Sequence, residues 1–262
     1  YFMKKTLIAL AVAASAAVSG SAMAWTANGT GGSVELGGTI TTGTANTPWE
    51  VEVGSKVSDL DVVVNKGITD VNIPLKKSVP VLSIRTIEKK TFQGRANINP
   101  QIRFAENAVD FSSAKNSVAT LKLNVTNASG DSIGSLTAPI LTGAVISQKT
   151  GDWEPVLISG YATGTDRGFG GGLPKVEAAV DPNVGARIAK IDPSIVANFD
   201  SQGQSNAIVK NTTSFYDTNT IYSAYYAAGL EANTSINIKL KAPTADESLT
   251  WKAVLPVTVF YQ

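Results

Sequence analysis

Along most of this chain, apolar residues recur at every second position in short runs, and Gly, Asn, Asp and Ser punctuate the runs. Period-two alternation rich in Val, Ile and Thr predicts half-buried β-strands. The pattern predicts strands at Val34–Thr41, Trp49–Val53, Asp61–Val64, Val71–Leu75, Val79–Thr86, Gln101–Phe104 and Val118–Val125. Five more follow at Ile133–Val145, Val156–Tyr161, Ile221–Ala228, Ser235–Leu240 and Trp251–Tyr261. Asn127-Ala-Ser-Gly-Asp131 reads as a hairpin loop between two of them. Many short strands with regular turn signals predict an all-β sandwich.

One stretch departs from period two. Residues 164–206 hold a glycine-rich loop and then Val184, Ile188, Ile191, Ile195 and Phe199, spaced by three or four. That spacing makes one apolar helical face. Asp192-Pro193 divides it into two short helices, with Asp192 as cap and Pro193 at the first helical position. The region reads as a partly helical insertion carried on the sandwich.

The two ends carry the most regular alternation. In Gly31–Thr42, Val34, Leu36 and Ile40 share one face with Gly38 between them. The ten residues Gly32–Thr41 reach roughly 33 Å when extended, enough to cross a sheet. This is either an ordinary first strand or a strand that need not belong to its own domain's sheet. At the other end, Trp251, Ala253, Leu255, Val257, Val259 and Tyr261 alternate onto one face, and Pro256 interrupts the ladder on one side because it has no N–H. A long apolar strand at the end of a chain is an aggregation hazard unless something pairs with it.

Ahead of all this, Lys4-Lys5, an apolar run from Leu7 to Val18 and Ala22-Met23-Ala24 predict a secretory signal peptide over residues 1–24, cleaved before Trp25. Residues 25–47 then form an N-terminal extension and 48–262 the sandwich domain. Losing two lysines takes the net charge from +1 to +1 − 2 = −1. A near-neutral chain has no electrostatic reason to seek nucleic acid. The chain has no cysteine and no histidine. It therefore has no disulfide staples, no Ser-His-Asp or Cys-His triad, and neither of the usual zinc ligands. The acids are scattered with no pair in a catalytic context, and Phe169-Gly-Gly-Gly-Leu173 lacks the Lys-Ser/Thr of a phosphate loop. No enzyme activity, metal or cofactor is expected.

The signal followed by Trp25, the GGSVELGGTIT segment, Trp49-Glu50-Val51, the missing cysteine and the apolar C-terminal strand with its penultimate tyrosine resemble enterobacterial fimbrial subunits of the K antigen 88 type, the FaeG-like and FaeH-like chaperone–usher pilins. The similarity is best over residues 3–53 and roughly 220–262. The resemblance implies an incomplete immunoglobulin-like β-sandwich, completed by donor-strand exchange. Val34, Leu36, Gly38 and Ile40 match the donor strand. Leu255, Val257, Val259 and Tyr261 match the C-terminal strand beside the open groove. The implied partners are a periplasmic chaperone, an outer-membrane usher and neighbouring subunits, and the implied destination is a cell-surface fimbrium. Pilins often carry a glycine about fourteen residues from the end, where this chain has Leu249.

A second function stays open beside the structural one. Trp153, Tyr161, Phe169 and Tyr216 flank or enter the insertion, with Asp152, Asp166 and Asp217 nearby. An aromatic ring offers a face to the C–H groups of a pyranose, and a carboxylate accepts from its hydroxyls. These residues are candidate contacts for host glycans, which would make the subunit a lectin-like adhesin. The alternative, which the pattern favours, is ordinary sandwich and insertion core. In the FaeG-like members of the family that the chain resembles, the insertion carries host-glycan binding.

Overall fold

The computed structural model describes residues 46–205, 208–245 and 248–262. The signal segment, the strand expected at Val34–Thr41 and the matched donor residues Val34, Leu36, Gly38 and Ile40 lie outside the described residues. What is described is all-β and immunoglobulin-like, with fourteen strands and one short α-helix. The first seven strands are β1 (Trp49–Val53), β2 (Asp70–Pro74), β3 (Val79–Thr86), β4 (Phe92–Gln93), β5 (Pro100–Phe104), β6 (Val109–Lys115) and β7 (Val118–Thr126). They are followed by β8 (Ser132–Thr150), β9 (Val156–Gly160), β10 (Val209–Asn211), β11 (Thr220–Leu230), β12 (Ser235–Leu240), β13 (Lys252–Ala253) and β14 (Val257–Tyr261).

β8 organises the fold because its two halves pair with different neighbours. Its first half lies between β7 and β12, and its second half between β9 and β11. β3 and β1 extend the sheet beyond β11, while β2 extends it beyond β12. β5 and β14 form a separate two-stranded sheet. The loop expected at Asn127–Asp131 closes the β7–β8 hairpin, with Asn127 N donating to Asp131 O and Gly130 at a positive φ.

Alternation sends Ile140, Ala144 and Ile146 of β8 and Tyr222, Ala224 and Tyr226 of β11 into the main core. The intervening Leu141, Val145, Tyr225 and Ala227 face the other way, into a second core under the insertion. There α1 (Val184–Ile191) and a 3-10 turn at Pro193–Val196 bury the predicted stripe, with Val184, Ile188, Ile191 and Ile195 buried and Phe199 packed beside them. Asp192 caps the second segment by accepting from Ser194 N at 2.7 Å. The helix lies close to the sheet because Gly143 has no side chain. A Cβ there would meet Val184 Cγ2 at 2.3 Å.

Two strand assignments need correction. Asp61–Val64 is exposed and has no ladder partner among the described residues, although its β-branched run reads as a strand. Trp251–Tyr261 is two strands rather than one, because the segment changes partner around Pro256. β13 pairs with β7, and β14 pairs with β5. Three strands fall outside the expected ranges, β4, β6 and β10.

Candidate functional site

The C-terminal segment alternates in burial as its sequence does. Trp251, Ala253, Leu255, Val257, Val259 and Tyr261 are each partly buried and pack on the main core. Lys252, Val254, Pro256 and Thr258 are exposed. These inward apolar residues touch the core without being covered by it. On β14 the other face carries Phe260, whose ring lies under the Arg103 guanidinium at 5.1 Å.

Hydrogen bonding along β14 is one-sided. Gln262 and Asn99 exchange both backbone bonds, at 3.2 and 3.0 Å, and Ala105 N donates to Pro256 O at 2.9 Å. Antiparallel pairs alternate between bonded and non-bonded. The amides of Thr258 and Phe260 therefore face β5, and those of Val257, Val259 and Tyr261 face the opposite edge. Among the described residues no strand pairs with that edge. The far edge of β5 is occupied, since Ile102 N donates to Gly170 O and Phe169 N to Pro100 O.

A second unpaired stretch lies between β1 and β2. It is tied at its ends, where Gly54 N donates to Val81 O and Gly67 N to Thr244 O. Between these ties Leu60 packs against the main core, while Val57, Val62, Val63 and Val64 are exposed, Val63 at 99%. Like the outer edge of β14, this extended-type stretch has no ladder partner among the described residues.

The root of the N-terminal extension is fixed at one end of β14. Trp49 Nε1 donates to Ile98 O at 2.6 Å, the next residue, Asn99, pairs with Gln262, and Arg95 donates to Asn46 O. Burial raises the Tyr261 phenol above its ordinary pKa. Nothing in the alternation pattern marks these contacts, which join residues far apart in sequence.

The four candidate glycan residues separate. Phe169 is wholly buried in a cluster with Trp49, Phe215 and Tyr226, at ring-centroid distances of 4.9–5.6 Å. It offers no face to a ligand, and its place as a sugar contact is corrected to core. Phe215 and Tyr222 belong to the same core, and burial pushes the Tyr222 phenol up to about 12. Tyr161 is half-buried. Trp153 and Tyr216 are 78% and 54% exposed on adjoining loops, which Gly151 N joins by donating to Asn219 O at 2.9 Å. Beside them Asp217 accepts from Thr220 Oγ1 and Asn219 N, which hold its carboxyl below the usual range.

Among the described residues no group of three or more Asp and Glu side chains could hold a metal, and no helix is long and apolar enough to cross a membrane.

The sequence model of the K88 fimbrial family, described as fimbrial major and minor subunit, matches residues 3–262. The chain is 31% identical to the K88 fimbrial protein AC of Escherichia coli, over 99% of this chain and all of that protein. It is 30% identical to the F41 fimbrial protein of Escherichia coli, over 99% of this chain and all of that one.

Proposed function

The chain belongs to the K88 family of major and minor fimbrial subunits, and we propose that it joins its neighbours by donor-strand exchange through the open edge of β14. The observation that carries this reading is the half-finished state of that strand. Its amides at Val257, Val259 and Tyr261 face an edge with no strand partner among the described residues, and the side chains of the same residues are half-buried on the core. A strand laid there would complete the ladder and cover the apolar row together.

The segment proposed to fill the edge is Gly32–Thr41 of the next subunit, with Val34, Leu36 and Ile40 entering the groove and Gly38 passing where a side chain would crowd. Main-chain bonds would supply affinity, and alternate side chains would fix the register. Each fully buried Val, Leu or Ile contributes about 1.5–3 kcal/mol, so three such residues plus the ladder would dissociate very slowly. Before assembly the same edge would be covered by a periplasmic chaperone and passed to an outer-membrane usher, with residues 1–24 removed on export. Deleting residues 25–41 tests the reading. The truncated subunit should still fold and bind its chaperone, but should fail to fill the open edge of the preceding subunit and so should form no fibres by itself. Fibres assembled from it would refute donor-strand exchange.

A second reading is supported by Trp153 and Tyr216, the two candidate aromatics that stay exposed on neighbouring loops with Asp217 beside them. It makes the subunit itself a glycan-binding adhesin. A glycan array probed with the strand-completed subunit tests it. Binding that is lost in Trp153→Ala favours this reading, and no binding leaves the structural role alone.

A further inference from the structure

From the fixed position of the extension's root, we infer a second contact between successive subunits. In it, Val254 of the receiving copy seats in a hollow lined by Pro48, Phe92 and Arg95 of the incoming copy. This rests on the donor-strand reading above and goes beyond it.

Each subunit's root lies at the Tyr261 end of its own β14, held by Trp49 Nε1 on Ile98 O next to the Asn99–Gln262 pair and by Arg95 on Asn46 O. An incoming strand parallel to β14 would bring its own root to that same end, where the receiver's root already sits. An antiparallel strand brings it to the opposite end, beside Trp251–Leu255. The seven steps of chain from Thr41 to Pro48 then span at most about 25 Å. The incoming Pro48 must therefore lie within that distance of the receiver's Trp251–Leu255 end.

Both surfaces at this junction have unspent apolar area. On the receiver, Val254 is 59% exposed, on the side of the segment opposite the half-buried Ala253 and Leu255. On the incoming copy, Pro48, Phe92, Gln93, Gly94 and Arg95 line a hollow of about 330 Å³ at the root. Phe92 is only partly buried there although it packs on Trp49. The hollow accepts a branched apolar side chain. So small a contact sets the angle between subunits and leaves their holding to the inserted strand.

The chain has no cysteine, so introduced pairs report cleanly. Fimbriae carrying both Val254→Cys and Gln93→Cys should give a ladder of covalent multimers on a heated, non-reducing gel, and reductant should collapse it to monomer. Fimbriae assembled from a mixture of the two single variants should stop at dimers. Wild-type fimbriae treated with an amine cross-linker, with copies distinguished by isotope, should yield Lys90–Lys252 links between copies. This last arm decides the matter if the cysteine variants do not assemble. Fibres that form and show neither the ladder nor the link overturn this contact while leaving donor-strand exchange standing. Fibres from the 25–41 deletion overturn donor-strand exchange itself.

Discussion

Replacing Arg187 by methionine should loosen the insertion from the sandwich. Arg187 lies on α1 and reaches three other places. Its Nε donates to Glu231 Oε1 at 2.9 Å, with a second bond from the same guanidinium to Glu231 Oε2. It also donates to Asp181 Oδ2 at 2.9 Å and to Asn116 O at 2.6 Å. Glu231 follows β11, and Asn116 sits in the β6–β7 turn, so one side chain ties the helix to two connections of the sheet. These bonds hold the guanidinium pKa above its ordinary value, with burial opposing them. A hydrogen bond to a charged group contributes about 1.5–3 kcal/mol, and breaking a buried pair costs about 3–5 kcal/mol. The three side chains here are 17–26% exposed. Solvent screening lowers the second figure, and the expected loss is about 2–3 kcal/mol. Urea unfolding of the strand-completed subunit measures it. Adding Glu231→Gln to Arg187→Met should restore about 1 kcal/mol, because the stranded carboxylate is gone. A loss under about 0.5 kcal/mol, or purely additive losses in the double variant, would refute the idea that this cluster fastens the insertion.

Gly143→Ala should cost about 1–3 kcal/mol by pushing Val184 outward, and Val184→Ala should recover part of that in the urea midpoint. The Asp110 carboxyl is held well below its ordinary 3.8 by Lys122 Nζ and by Ser112. Its contribution to stability should therefore be present above about pH 4 and fade as the pH falls below that. An NMR titration should find its midpoint well under 3.8, and Asp110→Asn should flatten the acid limb of the stability curve. Phe169→Ala should destabilise the subunit by about 3–5 kcal/mol, as an aromatic core truncation does. Trp153→Ala should leave the melting temperature within a degree or so, since the ring is mostly in water.

The parts of the fold that local alternation controls were legible in the sequence. β1, β3 and β12 match their expected ranges, and the helical stripe broken at Asp192-Pro193 is where the spacing put it. The failures come from pairing, which a one-dimensional pattern does not contain. Asp61–Val64 has strand composition and no ladder partner among the described residues. β6 is polar at Ser112, Ser113 and Lys115, and it forms because Asn116 and Ser117 adopt positive φ and turn it back onto β7. Three-residue β10 exists by parallel pairing with β9. The C-terminal row was legible as a row, while its change of partner near Pro256 was not. Phe169 sits in a glycine-rich stretch that reads as a surface loop, yet Gly168, Gly170 and Gly172 let the main chain pass so close to the core that the ring is enclosed. The exposed pair Trp153 and Tyr216 was legible only as residue types.

The central claim is that the outer edge of β14 is empty in the subunit and filled in the fibre. Amide hydrogen exchange, compared residue by residue between the free subunit and assembled fimbriae, tests it directly. The amides of Thr258 and Phe260, which face β5, should be protected in both states. Those of Val257, Val259 and Tyr261 should exchange quickly in the subunit and become strongly protected in the fibre. Equal exchange of those three amides before and after assembly would contradict the account.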